Sequence, residues 1–138
     1  MPRKAVPRGA ENLKVVGPYS PVVQIGDHLH FSGIVPVGAD KQPDGNPEDQ
    51  VVKVLQKMCD LLEACGLTPD DVFSATVMLA GDLSLYDWLN SRWDILFGHC
   101  RIKPRRAVFA VAALPFGCAV EIVFDAVRQE DPRPSTQD

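Results

Sequence analysis

Apolar positions recur along this chain with two different periods, and the switches between them outline the fold. In VVQIGDHLHF, two short apolar-rich stretches flank Gly26-Asp27, which predicts strands from Val22 to Ile25 and from His28 to Phe31 joined by a tight hairpin. From Glu48 to Cys65 the period lengthens. Val51, Val54, Leu55, Met58, Leu61, Leu62 and Cys65 recur every three or four residues. This predicts an amphipathic helix of about five turns at about 3.6 residues per turn, with Gly66 placed as a left-handed C-terminal cap. Val72 to Leu79 is β-branched and apolar and too short for a second such helix, so it reads as a largely buried strand. Leu85, Leu89, Trp93 and Leu96 share one face of a helix predicted from a Ser84 cap to Phe97, with Gly98 ending it. Two further strands, Ala107 to Ala113 and Ala119 to Val127, are separated by Leu114-Pro115-Phe116-Gly117. The segment IVPVGADKQPDGNPED, rich in proline, glycine and charge, predicts an exposed loop. The order is β-β-α-β-α-β-β, with room for another short strand near Lys4 to Val6.

Helices placed singly among strands predict an α+β domain in which one sheet carries both helices on one face. Ala107 to Ala113 is apolar on both alternating sets of positions, yet such helices cover only one of them. An oligomer that buries the open face is therefore expected. With 138 residues and 46% hydrophobic content, one domain over residues 1–128 is expected, followed by a disordered tail at 129–138.

Charge and cysteine usage narrow the function. Fourteen basic against eighteen acidic residues give a net charge of −4, which argues against a nucleic-acid partner. No run approaches the roughly 18 to 20 apolar residues that a membrane span needs, and no signal core follows the N-terminal charges, so a cytoplasmic protein without a membrane partner is expected. Cys59, Cys65, Cys100 and Cys118 form no CxxC pair and read as free, buried thiols. No GxSxG, P-loop or dinucleotide fingerprint is present.

The residues able to do chemistry each have two readings. Period-two alternation puts Arg105 and Arg106 on opposite sides of the strand they enter. One of them facing a cavity would offer a planar fork to a carboxylate or phosphate, whereas both in solvent would be ordinary strand-end charges. Glu121, inside the last strand, is either a desolvated acid–base group or part of a polar outer face. In GPYSP, Gly17-Pro18 fixes the chain before Tyr19 and Ser20, as a pocket edge or as a structural turn. His28 and His30 share a strand side at a spacing compatible with metal ligation. No further ligand motif completes a set, so hydrogen-bonded histidines are expected and no metal. His99 and Cys100, adjacent in sequence, do not make a catalytic dyad.

Taken together, GPYSP at 17–21, FSG at 31–33, EDQ at 48–50 opening a helix that closes at EACG, Asn90 followed by Trp93 and Phe97, and PRRAVFAVAALPFGCAVEI at 104–122 resemble the reactive intermediate deaminase (RidA/YjgF) family. The resemblance runs from about residue 15 to residue 128. It implies a chorismate-mutase-like α+β fold assembled as a homotrimer, the sheets forming a barrel with helices outside and pockets between subunits. It further implies hydrolysis of small imine or enamine carboxylates, such as 2-aminoacrylate, to 2-oxo acids and ammonia, with no cofactor. By this resemblance Arg106 grips the substrate carboxylate and Glu121 orients water or passes its proton. Tyr19, Ser32, Gly33, Asn90 and Val108 line the pocket. Val108 stands where well-known members have cysteine, and Ile34 where they have glutamine. Members are also labelled endoribonucleases or translation inhibitors, and a non-catalytic carboxylate or protein binder in the same clefts is a third alternative.

Overall fold

A computed structural model of the chain describes residues 3–129. Six strands, β1 (Lys4–Ala5), β2 (Val22–Ile25), β3 (His28–Ile34), β4 (Val72–Ala80), β5 (Arg105–Val111) and β6 (Val120–Val127), form one sheet in the order β1-β2-β3-β6-β4-β5. Helices α1 (Pro47–Ala64) and α2 (Tyr86–Phe97) pack on one face of it, as the single-helix spacing predicts. β4 and β5 are the parallel pair because α2 crosses between them; the other neighbours run antiparallel. Gly26, at φ +60, makes the β2–β3 hairpin.

The core lies between helices and sheet. Val120, Ile122, Phe124 and Ala126 alternate along β6 at full burial, and Phe124 stacks on Phe31 at 4.2 Å. Above them sit Val51, Val54, Met58 and Leu62 of α1 and Leu89 and Phe97 of α2. Each large side chain removed from water contributes roughly 1.5–3 kcal/mol, so β6 is firmly seated.

Local chemistry sets the ends of α1. The Asn46 side chain accepts from the Asp49 N–H at 2.8 Å while the Asp49 carboxylate accepts from the Asn46 N–H at 3.2 Å, with Pro47 in the first turn. At the other end Gly66 adopts φ +74, and the Leu67 N–H returns to the Leu62 carbonyl at 2.8 Å. The buried Gln50 then ties α1 to β6. Its amide nitrogen donates to the Gly45 carbonyl at 3.1 Å, and its oxygen accepts from the Ala119 N–H at 2.7 Å.

Three expectations change. β5 begins at Arg105, two residues earlier than the pattern suggested, so both arginines belong to the strand; parallel pairing with β4 recruits them. Ser84 does not cap α2, which starts at Tyr86. Ser84 instead donates its N–H to the Asp82 carboxylate at 2.9 Å in the preceding turn. The loop after β3 is exposed only in part. Ile34 belongs to β3, and Val35, Pro36 and Val37 are buried, Val35 and Val37 in a small cluster with Cys118. The tail expected to be disordered falls, beyond Gln129, outside the described residues.

Candidate active site

The expected site residues fall into two groups. Strand register separates them. Val77 pairs with Ile122 under the helices, so Met78 and Glu121, one step along, face the open side. Arg106 pairs with buried Ala75 and therefore points to the helix side.

The first group surrounds Glu121. A bulge in β3 between Phe31 and Ile34 brings Gly33 against the Glu121 side chain so closely that a Cβ there would overlap the carboxylate. Only glycine leaves that space. Ser32 next to it holds the GPYSP segment, its N–H donating to the Pro21 carbonyl at 3.0 Å and its hydroxyl to the Ser20 carbonyl at 2.5 Å. Tyr19 is steered by Gly17, where a Cβ would come within 2.7 Å of the phenol ring. Tyr19, Ser32, Gly33, Phe116 and Glu121 line a cavity of about 420 Å³. Burial pushes the Glu121 carboxyl above its ordinary value of 4.5, because the low-polarity wall disfavours the charged form. Phe116 holds a left-handed backbone at φ +61, which costs an ordinary side chain roughly 1–2 kcal/mol. That conformation sets its ring on the cavity wall. Nothing in the sequence pattern marks it.

The second group surrounds Arg106. Its Nη2 donates to Asn90 Oδ1 at 2.7 Å and to the Tyr86 hydroxyl at 3.4 Å. The guanidinium carbon lies 5.2 Å from the Trp93 ring centre and 5.6 Å from that of Tyr86, within cation–π range of both. Tyr86, Asn90 and Trp93 follow helical spacing on α2, so one helix face forms a cradle for the arginine. Tyr86 carries the same helical spacing in the sequence, four residues before Asn90 and seven before Trp93. Val108 shares the face and packs half-buried against the core. Arg105 points the other way and is exposed.

The remaining candidates join neither group. His30 Nδ1 lies 2.8 Å from Asp125 Oδ1, and His28 packs edge-on against Phe73. Among the described residues no three His, Cys, Asp or Glu side chains converge as metal ligands. The four cysteines are unpaired, and burial pushes their thiols above the usual range, away from reactive thiolate. Among the described residues no helix is long and apolar enough to cross a membrane.

Within one chain, then, a carboxylate with its cavity and an arginine with its cradle face opposite sides of the sheet. Residues 9–128 match the family model described as Endoribonuclease L-PSP. A mouse protein named 2-iminobutanoate/2-iminopropanoate deaminase is 34% identical over 82% of this chain and 83% of its own length. A RutC family protein of Aquifex aeolicus is 30% identical over 82% and 90%. The crystal structure of YyfA from Yersinia pestis, described as a protein of unknown function of the conserved Rid family, superposes with a TM-score of 0.80. It is 27% identical, and the match covers 91% of this chain and 99% of that one.

Proposed function

Because the chain belongs to the endoribonuclease L-PSP family, the RidA/YjgF family its motifs resemble, we propose that it hydrolyses imine and enamine derivatives of 2-amino acids to 2-oxo acids and ammonia. One observation carries the reading: a carboxyl held above its usual pKa by burial, on the wall of a cavity shaped by Gly33, Tyr19 and Ser32. Raised basicity suits a group that takes a proton from water and returns it to nitrogen.

The steps balance without a cofactor. The substrate carboxylate pairs with the Arg106 fork, which Asn90 and the two aromatic rings hold in place. Glu121 takes a proton from water as the water oxygen bonds to the imine carbon and the C=N π electrons move to nitrogen. Glu121 returns that proton to nitrogen, giving the carbinolamine; the hydroxyl proton then passes by way of Glu121 to the same nitrogen, the O–H pair forms the carbonyl of the 2-oxo acid, and the C–N pair leaves with ammonia.

Arg106 and Glu121 face opposite sides of one sheet, so this chemistry calls for the arginine of one copy to meet the glutamate of another, in a homotrimer with pockets between subunits. The exposed Phe109, on the open face of the edge strand β5, supports such packing. The net charge of −4 gives RNA cleavage, the activity named in the family description, no comparable support.

The test couples the protein to a serine or threonine dehydratase and follows 2-oxo acid release. The parent accelerates release and Arg106→Ala does not. No acceleration by the parent, or equal rates from both proteins, rejects the reading.

A further inference from the structure

Lys57 sits on the inward side of α1, where its ammonium donates to the Val35 carbonyl at 3.0 Å and to the Val37 carbonyl at 2.6 Å. Two carbonyl dipoles fix its position without neutralising it. Among the described residues the ion pairs are His30–Asp125 and Lys53–Asp44, so Lys57 has none. Burial pulls its pKa below the ordinary 10.5, the mark of a cation short of solvent. Lys53 lowers that value further and Asp44, its ion-pair partner, raises it, so their fields oppose one another at the amine. A part-buried cation bonded to two neutral carbonyls, with one N–H beyond those bonds, gains from an anion brought to it.

A cleft of about 290 Å³ leads to this amine. Its walls are largely apolar, with Val16, Ile34, Val35 and Leu61 among them, and its other charges, Lys14 and Asp60, offset one another. It shares Tyr19, Ser32 and Gly33 with the cavity that contains Glu121. Val16 and Val35 line both hollows as well, so the wall that Lys57 is bonded to continues into the wall of the Glu121 cavity. A short methylene chain starting beside Glu121 therefore has an apolar path that ends at a fixed positive charge.

Resting on the deaminase reading, we propose that Lys57 is a second anion anchor that selects 2-imino acids bearing a distal carboxylate. Arg106 takes the carboxylate next to the reacting carbon and Lys57 takes the one at the far end. Ile34 and Val16 pack on the methylenes between.

The experiment compares imines made in situ by flavin-dependent oxidation of glutamate and of norvaline, its analogue of equal chain length without the second carboxylate, with catalase present. The parent hydrolyses the glutamate-derived imine with kcat/KM roughly tenfold higher. Lys57→Met, which keeps the stem and removes the charge, brings the ratio near one chiefly by loss on the dicarboxylate, and Lys57→Arg retains a preference. A parent without preference, or a Lys57→Met variant that loses equally on both imines, overturns the proposal and leaves Lys57 as a loop anchor. Should neither imine be accelerated, the deaminase reading fails, and calorimetry of 2-oxoglutarate against 2-oxopentanoate still decides. Tighter parent binding of 2-oxoglutarate that is lost in Lys57→Met upholds the anchor, and equal binding rejects it.

Discussion

Glu121 and Arg106 ride on the same sheet but are held by different kinds of structure. Glu121 stands on β6, flanked by strands on both sides, with its entry pinned by Gln50 and its carboxylate seated over the bare backbone of Gly33. Arg106 stands on the edge strand and is held by side chains of α2 alone, one amide and two rings. The contrast teaches how the work divides. A proton-transfer group needs a fixed, partly dry environment, which the middle of a sheet supplies within one chain. On the proposed reading, a carboxylate clamp needs a free fork aimed outward, which an edge strand supplies when another copy brings the rest of the pocket.

The largest effect that tests this division comes from mixing. Arg106→Ala and Glu121→Ala each lose roughly 10²–10³-fold in kcat/KM. Subunit exchange between them restores roughly a quarter of the parent rate if, as proposed, a site takes one intact arginine and one intact glutamate from different copies. A mixture as inactive as its components would place both residues in one chain's site.

Next in size is Gly33→Ala. The added methyl displaces the Glu121 carboxylate, and a misplacement of about 1 Å costs about 10²-fold in kcat. Arginine geometry is untouched, so binding of a 2-oxo acid product, measured by calorimetry, stays near the parent value. Loss of both would mean the two regions are not independent.

Arg106→Lys replaces a fork by a point charge and lowers kcat/KM roughly tenfold, whereas Arg105→Lys stays within about twofold. Equal losses in the same assay would mean the strand register assigns the pair wrongly.

The smallest effect is on stability. The folded state holds the Glu121 proton more tightly than the unfolded chain, so the parent's stability falls as pH rises from about 4.5 through the raised folded value. Glu121→Gln lacks this dependence. Its stability relative to the parent therefore grows across that window and levels off above it, as read by denaturant titration. A difference that is flat with pH would remove burial as the cause of the shift.

Much of this was legible in the residue pattern. Spacing along α1 and α2 located the helix faces that meet the core, and the apolar run of β4 marked a largely buried strand, because periodicity reports directly which side of a helix meets other apolar atoms. Opposite sides for Arg105 and Arg106 followed from the same rule. The start of β5, the burial of Val35 and Val37 and the left-handed Phe116 were not legible. The first two depend on neighbours distant in sequence, β4 for the strand and α1 with Cys118 for the loop; the third is a local turn, Pro115–Gly117, in which a non-glycine residue takes a positive φ that its type rarely adopts.

By itself the sequence determined the family, the alternation of strands and helices, and the residue types able to bind a carboxylate and move a proton. These are matters of local spacing and side-chain chemistry. Tertiary structure alone decided that the arginine and the glutamate face away from each other, and that a lysine on the first helix meets two carbonyls beside the glutamate's cavity. Strand order and register are set by the closing of a core over many residues at once, and no short stretch of sequence carries that information.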